Sequence, residues 1–480
     1  MNKQNQNGKM QCEIGMVGLG VMGRNLLLNM ADHGFTVAGF DKDKNKVDSL
    51  RKESKEKHVY GAFTVEEFLQ LLKKPRAIML LVPAGHPVDL VIDELLPHLQ
   101  PGDLIIDAGN SHFTDTNTRA QMLQGQQIQF LGVGISGGEE GARLGPSIMP
   151  GGPKAAYEKV RPILEAVAAK VNGDACVTYL GPGSVGHYVK MVHNGIEYGI
   201  MQLIAETYDL MKRGLGLNNT QLHDVYRLWN EAELNSYLLE ITSNIFAKQD
   251  EKTGKQVIDE ILAVAKQTGT GMWTSQSAME LQVPVPTIDL AVSMRDLSVF
   301  VKEREQASKL YKNPMMLANV DHNIFIKQLQ GALFSSMIMV YAQGMMLLAV
   351  ASDKYAYELN LEAVARIWRG GCIIRARILE DITAAFRANH HLSNLLLDPN
   401  LAEKILMQQN NLRQIVSQAS FLGVPVPGLM VTLSYLDAYR SVWQPANLIQ
   451  AQRDYFGSHT YERMDTEGTF HTEWEQDVST

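Results

Sequence analysis

The stretch IGMVGLGVMGRNLLLNMADHGFTVAGFD, running from Ile14 to Asp41, decides how the first part of this chain folds. Ile14–Val17 is a short apolar run of the kind that forms a buried strand. Gly18-Leu19-Gly20-Val21-Met22-Gly23 follows at once and opens a helix that runs to about His33, with Gly34 as its stop. Thr36–Phe40 is a second apolar run, and Asp41 ends it. A lone GxGxxG says little. With a strand before it, a helix after it and an acidic residue closing the next strand, it is a dinucleotide fingerprint. Gly18 permits the tight turn, Gly20 lets a pyrophosphate approach the backbone, and Gly23 lets helix and strand pack closely. The start of the helix adds free N–H groups and a positive dipole end. Asp41 suits the ribose hydroxyls of NAD and repels the 2′-phosphate of NADP, while Lys42, Lys44 and Lys46 can offset that repulsion.

The same alternation continues outward. Ala77–Val82, Leu104–Asp107 and Ile128–Val133 read as further strands, and Thr64 with Glu67 forms a capping-box pattern before the helix Val65–Leu72. Strands separated by helices predict βαβ units and a parallel sheet covered on both faces. From about residue 184 the strand signal fades and helical periodicity takes over. Val283-Pro284-Val285-Pro286 and Val424-Pro425-Val426-Pro427 punctuate it and hint at duplicated helical halves. The segment from Val442, rich in Gln, Arg, Tyr and His, reads as an extended tail. The expected organisation is an α/β N-terminal domain over 1–183, an all-α domain over 184–441 and a C-terminal tail over 442–480.

Composition excludes several classes. The 480 residues carry 44 Lys plus Arg against 52 Asp plus Glu, a net charge of −8, which argues against a broad nucleic-acid or acidic-membrane footprint. Three cysteines (Cys12, Cys176, Cys372) provide neither a disulfide framework nor a paired metal site, which fits a reduced, cytoplasmic compartment. Met1–Gln11 lacks the apolar core of a signal peptide. Met337–Ala351, the most apolar later stretch, is interrupted by Tyr341, Gln343 and Gly344 and reads as too short to span a bilayer. A soluble protein with no membrane or nucleic-acid partner is expected.

The segment HYVKMVHNGIEY, His187–Tyr198, reads as helix. Lys190, His193, Asn194 and Glu197 stand at i, i+3, i+4 and i+7 and share one stripe; Val189, Val192, Ile196 and Leu203 form the opposite, packed side. Such a stripe is ordinarily a solvated face. Here an ammonium, an imidazole, an amide and a carboxylate within two turns can also bind a polyhydroxy acid and move its protons. Asp107-Ala108-Gly109-Asn110-Ser111 follows a strand at the carboxyl edge of the sheet. Ser136-Gly137-Gly138-Glu139-Glu140-Gly141 suits an anion-binding turn, and Ile148–Gly152 a further turn. No His, Asp and Cys cluster has metal-ligand spacing, so chemistry without a metal is expected.

At these motifs the sequence resembles the decarboxylating 6-phosphogluconate dehydrogenases over nearly its whole length. The matches are GLGVMGRNLLLNM (18–30), DAGNS (107–111), ISGGEEGA (135–142), PSIMPGG (146–152), HYVKMVHNGIEYG (187–199), ELNSYL (233–238), GCIIRA (371–376) and PANLIQAQRDYFGSHTYE (445–462). The resemblance implies a Rossmann-like domain, a large helical domain and a tail that reaches into the partner subunit of a homodimer. It implies hydride transfer from C3 of 6-phosphogluconate to NADP, loss of CO2 from the 3-keto acid, and ribulose 5-phosphate as product of the oxidative pentose-phosphate route. By the same resemblance, Lys190 is the base for the C3 hydroxyl and later an acid, and Glu197 protonates C1 of the enediol. Asn110, Ser136, Gly137, Gly138, His193, Asn194, Tyr198, Thr270 and Arg295 would hold substrate, with Arg453 and His459 supplied in trans. Gly18, Gly20, Val21, Met22, Gly23, Asp41, Lys42, Val82, Ala84 and Asn110 would hold the cofactor.

The departures from that pattern are specific. Asp41-Lys42 stands where many members have Asn-Arg, which points toward NAD use or preference. Pro83 replaces a lysine after the fourth strand, and Ile200 replaces an acidic residue beside the catalytic stripe. Thr268 and Met272 replace both lysines of a K-G-T-G-K-W-T pattern; the first binds substrate phosphate in the family, and Lys266 lies close enough in sequence to compensate. Two rival readings are a related β-hydroxyacid dehydrogenase that does not decarboxylate, whose members are shorter and lack the helical domain and tail, and a nucleotide-binding protein without catalysis. Both Lys190 and Glu197 being present argues against the second.

Overall fold

The strand before the glycine loop, β1 (Ile14–Val17), lies inside a seven-stranded sheet in the computed structural model, which describes residues 11–54, 58–311 and 320–474. The other strands are β2 (Val37–Phe40), β3 (Val59–Ala62), β4 (Ala77–Leu80), β5 (Leu104–Asp107), β6 (Gln129–Ser136) and β7 (Ser147–Gly151), in the order β3-β2-β1-β4-β5-β6-β7. The first six are parallel, and β7 runs antiparallel to β6. Helices α1 (Val21–Asp32), α2 (Lys44–Glu53), α3 (Val65–Leu71), α4 (His86–Leu95), α5 (Phe113–Gln124), α6 (Gly138–Leu144) and α7 (Lys154–Val167) follow these strands in turn. Because strand order reverses between β1 and β4, a crevice opens at their carboxyl ends, where doubly wound folds bind ligands.

Alternation along the strands builds two cores. Met16, Met79, Leu104 and Ile106 pack on one face of the sheet with Leu26 and Leu164. Val17, Ile78, Leu80 and Ile105 pack on the other with Phe68 and Ile92. Two strands escape the sequence reading. β3 is only V-Y-G-A, too short to show a period. β7 contains Pro150 and Gly151 and was expected as a turn; at the sheet edge a proline removes no ladder donor.

The helical part begins with α8 (Val185–Asp209). It continues through α9 (Asn219–Asn230), α10 (Tyr237–Ala247), α11 (Thr270–Glu280), α12 (Pro286–Val299), α13 (Val301–Leu310) and α14 (His322–Tyr355). α15 (Leu361–Ile367), α16 (Ile378–Ala388), α17 (Pro399–Leu422) and α18 (Pro427–Tyr439) complete it. The expectation that Met337–Ala351 is too short to span a bilayer needs correction. It lies within the 34 residues of α14, which is long and apolar enough to cross a membrane, but 83% of that apolar window is buried inside the protein. Packing, rather than interruption, makes it a core helix, wedged against α8 and α17. Each V-P-V-P motif does the same local task, opening α12 or α18 with proline at the first helical position, where no N–H is required. The Thr287 and Thr432 hydroxyls of these helices meet at 2.9 Å. Near the end of α8 the buried Glu206 accepts from the N–H groups of Gly428 (2.7 Å) and Leu429 (2.9 Å) at the start of α18.

The chain divides into two compact units, one ending at Thr432 and one starting at Leu433. In the second unit, the tail is folded rather than extended. Helix α19 (Ala446–Gly457) is followed by a hairpin in which Tyr461 pairs with Phe470. Asp454, fully buried, organises it: its carboxylate accepts from the N–H groups of Thr460 and Thr472 and from Trp474 Nε1, and lies 2.8 Å from His471 Nδ1.

Candidate active site

Glycines seat α8 on the sheet. A Cβ at Gly186 would lie 2.2 Å from Gly132 O and 2.3 Å from Met149 O, and one at Gly134 would lie 2.4 Å from Lys190 Cβ. Helix and strand therefore touch backbone to backbone. That contact puts Lys190 over β6, and its side chain is only 7% exposed. The polar stripe of α8 is thus buried, not solvated: His193 is fully buried, Asn194 nearly so, and Glu197 is partly covered.

These groups form a connected set. Lys190 Nζ lies 3.5 Å from His193 Nδ1, which also lies 3.2 Å from Asn194 Oδ1 and 3.9 Å from Glu197 Oε2. His193 Nε2 lies 3.2 Å from the Ser136 hydroxyl. Burial pushes the Lys190 pKa down, against the pull of Glu197 and Cys372. Burial pushes the Glu197 pKa up, against the nearby charges of Lys190 and Arg295. Burial, and then Lys190, push His193 well down, so its ring stays neutral. Both shifts run toward a neutral amine and a protonated carboxyl, the forms that a base and an acid need before they act.

Around this pair, Ser136 ends β6, and its oxygen accepts from Ile373 N–H at 3.3 Å. Gly137 (φ 134°) and Gly138 (φ 62°) carry the chain into α6; a Cβ at Gly137 would meet Gly371 O at 2.6 Å. Tyr198 lies under Arg295, whose Cζ is 3.4 Å from the ring centre. Gly271 leaves room for that ring, since a Cβ there would lie 2.4 Å from it. Thr270 begins α11, which is fastened to α8 by the Thr274 hydroxyl on Met191 O at 2.8 Å. Arg295 Nη1 lies 3.5 Å from Lys266 O, so the backbone of Lys266 borders Arg295, whereas Thr268 is exposed.

The glycine loop fits a dinucleotide phosphate. A Cβ at Gly23 would be 1.9 Å from Gly18 O, while one at Gly20 would meet open space. Gly20 leads into α1 without a side-chain cap, so the first N–H groups stay available around Val21 and Met22. Val82 and Ala84 lie on the neighbouring β4–α4 loop, and Val82 Cγ1 would stand 3.0 Å from a Cβ on Gly18. Asn110 is the exposed member of the otherwise buried Asp107–Ser111.

Asp41, expected to face the adenosine ribose, also has partners within the protein. Its Oδ2 accepts from Leu19 N–H (2.8 Å) and pairs with Lys46 (3.2 Å), and its Oδ1 accepts from Asp43 N–H (2.9 Å). Lys42 pairs instead with Glu94 at 3.0 Å. Arg453 and His459 belong to the second unit, where Arg453 donates to Gln450 Oε1 at 3.1 Å. Sequence reasoning missed the seating glycines Gly132, Gly134 and Gly186, which no spacing rule marks. It also missed Arg119, whose only sequence signal is a cation on a helix after a strand-end loop.

Two family models match the chain. One, described as the NAD binding domain of 6-phosphogluconate dehydrogenase, covers residues 13–181; the other, 6-phosphogluconate dehydrogenase, C-terminal domain, covers 186–474. The chain is 50% identical over 463 residues to the NADP(+)-dependent, decarboxylating 6-phosphogluconate dehydrogenase of Bacillus subtilis, covering 96% of this chain and 99% of that protein. It is 48% identical over 469 residues to the decarboxylating enzyme of Caenorhabditis elegans, covering 97% of each. Among solved structures, the 6-phosphogluconate dehydrogenase of Plasmodium falciparum, studied apo and in complex with NADP+ and with 6-phosphogluconate, superposes with a TM-score of 0.93 at 45% identity. That match covers 96% of this chain and all of that one.

Proposed function

The chain belongs to the 6-phosphogluconate dehydrogenase family, and from that premise we propose that Lys190 and Glu197 are the acid–base pair of its reaction. The protein is a decarboxylating 6-phosphogluconate dehydrogenase that converts 6-phosphogluconate to ribulose 5-phosphate and CO2 and uses NADP. The observation that carries the assignment of roles is the buried stripe on α8, with its amine pushed toward neutrality and its carboxyl toward protonation.

Neutral Lys190 takes the proton of the C3 hydroxyl as the C–H bond at C3 breaks. The bound nicotinamide supplies the hydride acceptor. Lys190, now an ammonium, returns a proton to the C3 carbonyl oxygen as the C1–C2 bond breaks and C1 leaves as CO2, its electron pair forming the C2=C3 enediol. Glu197 then delivers its proton to the former C2, which becomes C1 of the product, and the hydroxyl on the former C3, now C2, gives up its own to leave the ketose. His193, Asn194 and Ser136 orient the hydroxyls of the substrate, and Gly137 and Gly138 present backbone toward its carboxylate end. Asn110 borders both ligands.

The phosphate falls to Tyr198, Thr270 and Arg295, with Lys266 taking over from the absent lysine at Thr268. Arg453 and His459 complete that end from the partner of a homodimer. The exposed Leu448, Ile449, Tyr455 and Phe456 on α19 support such a partner, because large apolar side chains gathered on one exposed helix mark an interaction surface. Gly18, Gly20, Val21, Met22, Gly23, Val82 and Ala84 would hold the cofactor's phosphates and nicotinamide side. Asp41 favours NAD use alongside NADP, with Lys42 and Lys46 as the counterweight. The organisation is 1–183, 184–441 and 442–480, and the buried free cysteines suit a cytoplasmic enzyme. Cofactor reduction measured with 6-phosphogluconate, separately with NAD and NADP and with CO2 release followed in parallel, tests the reading. Reduction without CO2 would replace it with a non-decarboxylating dehydrogenase.

A further inference from the structure

We infer that Arg119 is a positioning residue for hydride transfer, fixing the Asp107–Ser111 loop against the Val82–Gly85 loop. The inference rests on the proposed reading, in which Asn110 on one loop and Val82 and Ala84 on the other border cofactor and substrate. Arg119 sits on α5, is only 4% exposed, and spends its guanidinium on three places at once. Its Nε donates to Asp89 Oδ1 on α4 (2.6 Å), and its Nη2 to Gly85 O (3.0 Å). Its Nη1 reaches Ser111 Oγ (3.1 Å) and Asp107 Oδ2 (3.3 Å).

Asp107 passes this fixation on. Its Oδ2 accepts from Ser111 Oγ at 2.6 Å, and its Oδ1 from Gly109 N–H at 3.1 Å, so both neighbours of Asn110 are pinned. The two loops are also tight against each other: a Cβ at Gly109 would lie 3.2 Å from Val82 O. The same helix meets the catalytic helix, since Thr116 Oγ1 lies 2.6 Å from His187 Nδ1, one turn before Lys190. Arg119 thus joins the loops expected to flank the nicotinamide, on a helix that is itself tied to the base.

A second buried arginine separates position from stability. Arg76 pairs with Asp103 at 2.9 Å at the opposite, amino ends of β4 and β5, far from the crevice edge. It is a like pair with only a structural task.

The test compares Arg119→Lys, Asp89→Asn and Arg76→Lys with the wild type. It measures kcat, both KM values, thermal stability and the deuterium isotope effect with substrate deuterated at C3. A lysine keeps the charge beside Asp107 but has three donors on one atom and cannot span the fork. For Arg119→Lys, kcat should fall about 10–100-fold with each KM within about threefold, and the isotope effect on kcat should rise as hydride transfer becomes limiting. Asp89→Asn, which loosens one arm at a half-exposed carboxylate, should lower kcat about two- to fivefold and raise the isotope effect in the same sense. Arg76→Lys should lose stability and keep both kcat and the isotope effect. Wild-type kcat and isotope effect in Arg119→Lys would overturn the inference, as would a loss confined to KM or an equal loss of kcat in Arg76→Lys. If Arg119→Lys does not fold, Asp89→Asn decides on the same readouts. A wild type without turnover would instead overturn the proposed function.

Discussion

The Ser136 hydroxyl lies 3.2 Å from His193 Nε2, joining the end of β6 to the middle of α8 across 57 residues of sequence. The other ring nitrogen faces Lys190 and Asn194. When Nδ1 donates to Asn194 Oδ1, Nε2 accepts from Ser136; when Nδ1 accepts from Lys190, Nε2–H donates to the Ser136 oxygen. The direction of the Ser136 hydroxyl is therefore linked to which neighbour, Asn194 or Lys190, engages the other ring nitrogen.

Replacing Lys190 with Met keeps approximate length and apolar packing in a buried site and removes the base. Turnover should fall by about 10²–10⁴ with the circular dichroism spectrum unchanged. A variant that keeps more than about half of wild-type kcat excludes this role.

The pH dependence follows from the two shifts. On the proposed roles, activity requires neutral Lys190, so it is lost as pH falls through a pKa held below the ordinary lysine value. It requires protonated Glu197, so it is lost as pH rises through a pKa held above the ordinary carboxyl value. The kcat/KM profile should be bell-shaped, and Glu197→Gln should abolish the alkaline limb of the residual activity while leaving the acid limb. An alkaline limb that persists unchanged in Glu197→Gln assigns it to another group.

Asp41→Asn should move the kcat/KM ratio toward NADP. Two like charges 4 Å apart at an effective dielectric near 20 repel by about 4 kcal/mol, and Lys46 at 3.2 Å from Asp41 offsets much of it. A shift of roughly 3–30-fold is expected, with wild type using NAD at least as well as NADP. Asn retains an oxygen for Leu19 N–H, so the loop should survive. A wild type favouring NADP a hundredfold or so, with the ratio unmoved by the substitution, means that the lysines govern the choice.

Mixed dimers test the tail. Lys190→Met and Arg453→Ala chains, each inactive alone, should regain activity after unfolding and refolding together, because one site of a heterodimer receives both intact residues. Mixed dimers as inactive as their parents would place Arg453 in the site of its own chain.

Most of this was legible in the chain, and for identifiable reasons. The glycine loop, five of the seven strands of the main sheet and α8 each carry a local signal: a turn residue, an apolar run, a period. What escaped was set by contacts distant in sequence. β3 is too short to show a period, and Pro150 reads as a turn until the sheet edge is known. Whether the α8 stripe is buried depends on Gly132 and Gly134 of β6, more than fifty residues earlier by their numbers. Lys46, named from the sequence as a counter-charge to Asp41, does pair with it, whereas the Leu19 N–H on Asp41 depends on how the glycine loop folds back.

Glu206 offers a stability test outside the chemistry. Burial, against hydrogen bonds from Gln202, Leu429 and Gly428, pushes its pKa from 4.5 to about 7. A raised carboxyl pKa means a contribution fully present below 4.5 and lost as pH rises through about 7, an interval worth roughly 3 kcal/mol. Glu206→Gln removes the titration. Its melting temperature relative to wild type should therefore climb as pH rises across that window. A difference that stays flat with pH refutes the assignment.

The backbone-to-backbone seat of α8 bears on how this enzyme can change. Side chains at an interface can swap volumes and drift through neutral repacking, but a carbonyl 2.2 Å from a would-be Cβ leaves no such intermediate. Helix α8 is therefore frozen in register, and the members of its polar stripe keep their places together. Change has more room at α11 and the loop before it, where Met272 and Thr268 are exposed and no backbone contact of this kind constrains their size.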